Sequence, residues 1–294
     1  MPYLGESAAL ATALVWAISV VYFRQLGGVF SPLSLNFWKG IISIVGLLLI
    51  YLLTNQQSPT INQSGWLLLS GVIGIGIGDT AFFAALNRMG ERSTLLVAET
   101  LAPIFTALLA IVWISEWLTA YQWLAIGVIL FGVDWVLRQK KEKVAQPLSI
   151  SGLSFAAIAA LSQAVGAVIG RDVLVHSSID SVTASLIRLV GGLVFILPVL
   201  TLSRARWFPK RSAGGKVWKL LFVATFLGTF VAMILQMYSF AHAEAAIVQS
   251  LFASCIIFSL GIARMQGQPV SAKALTGSLI ASLGVALIFV SSGH

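Results

Sequence analysis

The sequence predicts an all-α integral membrane protein with ten transmembrane helices, arranged as two inverted five-helix repeats. Three observations carry that expectation. Of the 294 residues, 58% are hydrophobic and only 10% are charged, with a mean hydropathy of +0.95. A soluble domain of that composition would expose large apolar patches. The apolar residues fall into ten runs of about 20, each enough to cross hydrocarbon as a helix. The two halves of the chain also resemble one another at a shift of 147 to 152 residues.

In chain order, the first run is Leu4–Phe23, with Trp16 inside it, and the second is Leu33–Leu53, with Asn36 and Lys39. The third, Trp66–Leu86, contains "GIGIGDTAFF" and so Asp79, besides Gly71, Gly74, Gly76 and Gly78. The fourth, Ser93–Trp113, holds Glu99 and Pro103, and the fifth, Thr119–Leu137, holds Gly127 and Gly132. The stretch "RQKKEKVAQPLS" (138–149) reads as a solvated linker, which divides the chain into repeats at 1–145 and 146–294. The second repeat continues with Gly152–Gly170 (Gln163), Val182–Leu202 (Arg188), Val217–Phe240 (Gln236), Ala245–Ala263 (Gln249) and Ala272–Val290. Helices are expected because a lipid-exposed backbone must satisfy its own hydrogen bonds. Barrel strands would alternate over about ten residues, and these runs are too long and too evenly apolar. The single cysteine, Cys255, excludes an intrachain disulfide framework. The first basic residue, Arg24, follows the first apolar run, the reverse of a cleavable signal peptide.

Charge sets the expected orientation. With ten spans both termini share one face. The opposite face carries Arg24, Arg88, Arg92, Arg138, Lys140, Lys141, Lys143, Arg204, Arg206, Lys210, Arg211, Lys216, Lys219, Arg264 and Lys273, 15 of the 18 Lys and Arg residues. The terminal face has Arg171, and Lys39 and Arg188 fall within spans. The positive-inside rule places the rich face in the cytoplasm and both termini outside. The net charge of +8 therefore suits anionic lipid headgroups rather than nucleic acid.

The repeat is visible residue by residue. Arg24 falls on Arg171 and Lys39 on Arg188; "GDTAFFAAL" at Gly78 falls on "GTFVAMILQ" at Gly228. "AETL" (98–101) falls on "VQSL" (248–251), and Gly132-Val133 on Gly284-Val285. Five spans per half is an odd number, so the second half sits upside down relative to the first. Inverted repeats are a device of secondary transporters, which place substrate near the midplane between the halves.

On these residues the chain resembles the EamA-type transporters of the drug/metabolite transporter superfamily. The resemblance rests on "ALVWAISVVYFR" in the first span and on Gly78 to Val133, with Trp16, the Asp79 box, Pro103, Glu116 and Gly127/Gly132. It covers nearly the whole chain as two such repeats and implies a ten-helix exporter or exchanger of small metabolites. The second half departs from the pattern: Ala253 stands for the proline, Gln268 for the glutamate and Thr229 for the aspartate. The family often keeps its termini in the cytoplasm, whereas the charges of this chain place them outside.

Depth along each helix, at about 1.5 Å per residue, puts Lys39, Asp79 and Glu99 roughly 9–11 Å below the same edge. One cation and two carboxylates at one level leave a surplus negative charge that a proton can cancel. Two readings stand side by side: a structural ion pair, or a proton relay or amine-binding carboxylate. Arg188 is expected at the matching level near the other face, where its repeat-mates Thr229 and Gln249 are neutral. It pairs there with Glu244, Asp172 or water, or awaits a substrate carboxylate or phosphate. Trp16, Asn36, Gln163, Gln236 and Gln249 are further candidates for the path, with helix–helix hydrogen bonding as the alternative. Gly74, Gly78 and Pro103 are candidates for helix bending.

No phosphate-binding loop, HExxH motif or Ser-His-Asp set is present, and His176, His242 and His294 are scattered. No metal, cofactor or catalytic activity is expected. The expectation is a secondary transporter, an exporter of small polar metabolites such as amino acids across the bacterial inner membrane, with protons and membrane lipid as partners. The alternatives are an antiporter of phosphorylated or anionic metabolites, or a non-transport membrane protein: an intramembrane enzyme or a complex subunit.

Overall fold

A computed structural model describes residues 3–54, 58–139, 149–209, 214–265, 267 and 270–291. The expected linker falls largely on 140–148, and Gln268, Lys140, Lys141, Lys143, Lys210, Arg211 and His294 also lie outside the described residues. The ten apolar runs fold as α1 (Leu4–Leu26), α2 (Pro32–Leu53), α3 (Ile61–Gly90), α4 (Ser93–Ile114), α5 (Ala120–Gln139), α6 (Ile150–Val175), α7 (Ser181–Leu202), α8 (Gly215–His242), α9 and α10 (Ala272–Ser291). α9 comes in two pieces, Ala245–Phe252 and Cys255–Met265. Among the described residues nine helices are long and apolar enough to cross a membrane, and α5 contributes a shorter apolar stretch, Ala120–Val136.

Local chemistry sets the helix ends. Ser31 caps α2, its hydroxyl accepting from the Ser34 N–H, and Pro32 follows where a missing N–H costs nothing. Thr60 and Gln63 form a reciprocal capping box on α3. The Asp180 carboxylate accepts from the Val182 and Thr183 N–H groups at the start of α7. Gly90, at φ 76°, separates α3 from α4.

The bend expected at Pro103 is not where the chain departs from helix. α4 keeps helical backbone angles through Pro103. The proline removes the donor to the Glu99 carbonyl, a loss that membrane helices tolerate. Its counterpart α9 retains that bond, Ala253 N–H to the Gln249 carbonyl at 3.1 Å, yet breaks just beyond it. The glycine-rich stretch of α3 bends differently. Val72–Asp79 is a π-helical segment, and Phe226–Val231 is another in the corresponding part of α8. A π turn widens the helix by one residue per turn and often marks a functional position. Gly74 and Gly78 both lie in the first segment and pack against α6, where an added methyl would meet Gly166 and Ser162.

Close backbone approach holds the two halves together. A Cβ on Gly71 would lie 1.8 Å from the Arg188 carbonyl oxygen, and one on Gly191 2.2 Å from that of Leu68, so α3 and α7 cross in backbone contact. α5 and α10 pair the same way: a Cβ on Gly132 would lie 2.4 Å from the Ala281 nitrogen, and one on Gly284 2.7 Å from the Ile129 nitrogen. Gly132 and Gly284 are repeat-mates, so this contact is duplicated by the pseudo-symmetry.

Candidate functional site

Eight of the helices surround one cavity, which offers about 70 Å³ to water centres. A single water needs about 10–15 Å³ on that measure, so there is room for several waters or a small solute. α1 contributes Trp16, α2 Lys39, α3 Asp79 and α4 Glu99. From the second repeat come Gln163 on α6, Arg188 on α7, Gln236 on α8 and Gln249 on α9. α5 and α10 stand outside it. Of the nine polar or aromatic positions singled out from the sequence, Asn36 alone is absent from the lining. It is fully buried, and its Nδ2 donates to the Ile75 carbonyl (2.8 Å) and Thr80 Oγ1 (3.0 Å). Asn36 thus steadies the π segment that carries Asp79 and does not face the path.

Lys39 and Arg188 are pseudo-symmetric. Each is the eighth residue of a 22-residue helix, counted from Pro32 and Ser181. The helices run in opposite directions, so the two cations enter the cavity from opposite sides of its midplane. A 22-residue helix is about 33 Å long. The two Cα positions are therefore separated by roughly 10 Å along the membrane normal, and long side chains close that gap. This is why Arg188, expected near the far face, shares a cavity with Lys39.

Their surroundings differ. Lys39 Nζ forms a buried ion pair with Asp79 Oδ2. Asp79 Oδ1 accepts from Gln163 Nε2 at 3.1 Å, a bond between the repeats. The Lys39 ammonium also lies 5.5 Å from the centre of the Phe83 ring. Glu99 joins neither group: it is 6% exposed, lines the cavity, and has no hydrogen bond or ion pair among the described residues. The three-membered cluster expected at this depth is therefore a Lys39–Asp79 pair with a separate carboxylate facing the same space.

Arg188 is 2% exposed. Neither Glu244 nor Asp172 reaches it: Glu244 accepts from Gln122 Nε2 at 3.4 Å, and Asp172 binds Trp113 Nε1 and His176. Nη1 donates to Met237 Sδ at 3.1 Å, and Nε is buried without a hydrogen-bond partner among the described residues. A thioether is a weak acceptor for a guanidinium. Glycines make the slot: methyls added at Gly74 or Gly166 would sit 3.3 Å from Nη2, and one at Gly170 3.6 Å from Nη1. The cavity thus presents a Lys39–Asp79 ion pair, a guanidinium that feels the Asp79 charge but has no carboxylate in direct contact among the described residues, and a Glu99 side chain without a hydrogen-bond partner there. Ionisable groups buried in this way mark functional positions in membrane helices.

Away from the cavity, the terminal-face ends of four helices are tied together. Arg171 Nε donates to Glu116 Oε1 at 2.7 Å, and its Nη1 to the Phe240 carbonyl at 2.6 Å. Glu116 Oε2 accepts from the Ala245 N–H at 3.1 Å, at the start of α9. One carboxylate from the first repeat thereby binds two elements of the second, α6 and α9, and through Arg171 is linked to a third, α8.

The EamA-like transporter family matches twice, over residues 3–138 and 150–290. The chain belongs to the EamA-like transporter family. This EamA-like transporter is 27% identical over 135 residues to an uncharacterized transporter of Haemophilus influenzae (strain ATCC 51907 / DSM 11121 / KW20 / Rd). That match spans 45% of this chain and 44% of the relative. A solved crystal structure superimposes with a TM-score of 0.80 at 14% identity, covering 99% of this chain and 98% of the other, which is a likeness of fold. The EamA-like cavity also includes Thr12, Thr229 and Met233, which the sequence analysis had not put forward for the path. Helical spacing carries the signal for them: Thr12 lies one turn before Trp16, and Thr229, Met233 and Gln236 follow at steps of four and three on one face of α8.

Proposed function

We propose that this EamA-like protein is a secondary transporter of small zwitterionic metabolites of the amino-acid kind. It works by alternating access, in the bacterial cytoplasmic membrane with both termini outside. The observation that carries this reading is that one basic and one acidic side chain, Arg188 and Glu99, line one cavity with no ion pair in direct contact with either among the described residues. A substrate carboxylate satisfies the guanidinium through its planar fork, and a substrate ammonium satisfies Glu99. Each group then exchanges an unmet demand for a charge-assisted hydrogen bond. Lys39 and Asp79 neutralise one another and supply a polar wall, held across the repeats by Gln163.

Charge balance supports a zwitterion over a phosphorylated compound. The cavity holds two basic side chains, Lys39 and Arg188, and Lys39 is already paired with Asp79, so a dianion would leave negative charge uncompensated in the membrane. Export is the direction that the family resemblance implies, and the excess of basic residues on one face supports termini outside. Rocking of one repeat against the other fits the inverted architecture, with the Glu116–Arg171 tie parting when the terminal face opens.

The test is counterflow in proteoliposomes of the purified protein. Labelled neutral amino acids should accumulate, and unlabelled ones should compete. Competition from phosphorylated compounds, with none from zwitterions, would overturn the reading.

A further inference from the structure

At the charge-rich end of the bundle, α7 ends at Leu202 and is followed by Arg204, whose φ of 49° is left-handed. That conformation is unusual for a residue with a Cβ and reverses the chain. The reversal brings Trp207 back onto α2. The Trp207 carbonyl accepts from Ser34 Oγ (2.8 Å) and Trp38 Nε1 (2.7 Å). The rings then interlock: Phe37 with Trp207 at 5.3 Å, Trp38 with Phe208 at 5.4 Å and Trp38 with Trp218 at 4.9 Å. Trp207 and Phe208, just after α7, and Trp218, in α8, are therefore held on α2 as an aromatic shelf.

The shelf carries cations. Arg204, Arg206, Lys216 and Lys219 are exposed, and none forms an ion pair among the described residues. Residues 203–222 contain no Asp or Glu. Apolar surface lies beside them: Phe208 is 62% exposed although packed on Trp38, and Leu202 is 83% exposed.

We propose that this shelf is a binding site for an anionic phospholipid, with the headgroup phosphate on the basic side chains and the acyl chains along Phe208 and Leu202. Fixed rings of Trp and Phe favour headgroup depth, and basic side chains beside them attract anionic lipid. A free phosphate would use the cations and leave the apolar surface bare, so the lipid is the occupant that uses both. Trp38 immediately precedes Lys39, which ties the shelf to the helix that bears the cavity's ion pair.

The test uses the full protein in mixed micelles, titrated with brominated phosphatidylglycerol or brominated phosphatidylcholine while tryptophan fluorescence is read. Each basic residue near an anionic surface strengthens binding about five-fold, so a preference of about ten-fold or more for the anionic lipid is expected. Replacing Arg204, Arg206, Lys216 and Lys219 together by Gln should abolish the preference, whereas Arg204→Lys with Arg206→Lys should keep it. A second variant, Trp38→Phe with Trp207→Phe and Trp218→Phe, should lose the quenching specific to the anionic lipid. Equal quenching of the unaltered protein by both lipids would overturn the proposal. So would a preference that survives the glutamine variant, or specific quenching that survives without Trp38, Trp207 and Trp218.

Discussion

Breaking the Lys39–Asp79 pair should expose how it is balanced. The two side chains are 3% and 12% exposed. Asp79→Asn leaves the ammonium buried with no counter-charge among its described contacts. Lys39→Met leaves the carboxylate, among the described residues, with the Gln163 bond at 3.1 Å and the Arg188 charge beyond direct contact. Removing one partner of a buried pair costs about 3–5 kcal/mol, whereas replacing both by neutral groups of similar volume is often near neutral. The combined Lys39→Met/Asp79→Asn variant should therefore recover most of the loss. The coupling in the double-mutant cycle should be roughly 3 kcal/mol, at the upper end for contacting residues. In a chain of this size 1 kcal/mol moves a melting temperature by about 2–4 °C, so each single variant should lose on the order of 10 °C and the double far less. The assay is thermal unfolding of the detergent-solubilised protein, read by loss of the monodisperse peak, alongside transport in proteoliposomes. Single effects that simply add in the double variant would refute the buried-pair reasoning. A stable double variant that still transports normally would make the pair scaffolding, with no part in turnover.

Three further outcomes follow from the same geometry. Arg188→Lys keeps the charge but loses the fork, hence at least one charge-assisted bond of about 1.5–3 kcal/mol. The substrate Kd should rise by about 10- to 150-fold, and an unchanged Kd in counterflow titrations would remove Arg188 from the site. Gly71→Ala should lower the melting temperature sharply, because its methyl would sit 1.8 Å from a backbone oxygen, while Gly127→Ala, with nothing within 4 Å, should be silent. Glu116→Gln weakens the tie to Arg171 and the Ala245 N–H. A cysteine placed at Thr12, in a chain with Cys255→Ser, should then react faster with a membrane-impermeant thiol reagent added at the terminal face.

What could be read in the sequence, and what could not, divides along physical lines. Span positions were legible because apolar length is a direct requirement of the bilayer, and every described helix overlaps its expected run. The Lys39–Asp79 contact followed from counting depth along neighbouring helices. Depth does not give azimuth, however, so counting could not tell that Asp79 takes the lysine and Glu99 stands apart. Nor could it tell that Asn36 turns toward the Ile75 carbonyl and away from the cavity. The π segments were hidden because composition shows glycines but not which carbonyl each N–H selects. The break in α9 at Ala253–Ser254, where the proline of the first repeat has no counterpart, had no composition signal at all. For Arg188, helix depth fixes the Cα alone, while the side chain reaches several ångströms further, along a slot opened by Gly74, Gly166 and Gly170.

In the proposed transport cycle Arg188 and Glu99 receive the two ends of one substrate. The most direct measurement is counterflow inhibition by a matched set, an amino acid, its amide and its N-acetyl form, on the unaltered protein and on Glu99→Gln. The unaltered protein should reject both blocked forms. Glu99→Gln should cease to distinguish the N-acetyl form from the parent while still rejecting the amide, because Arg188 is untouched. Full discrimination against both blocked forms in Glu99→Gln would contradict the assignment.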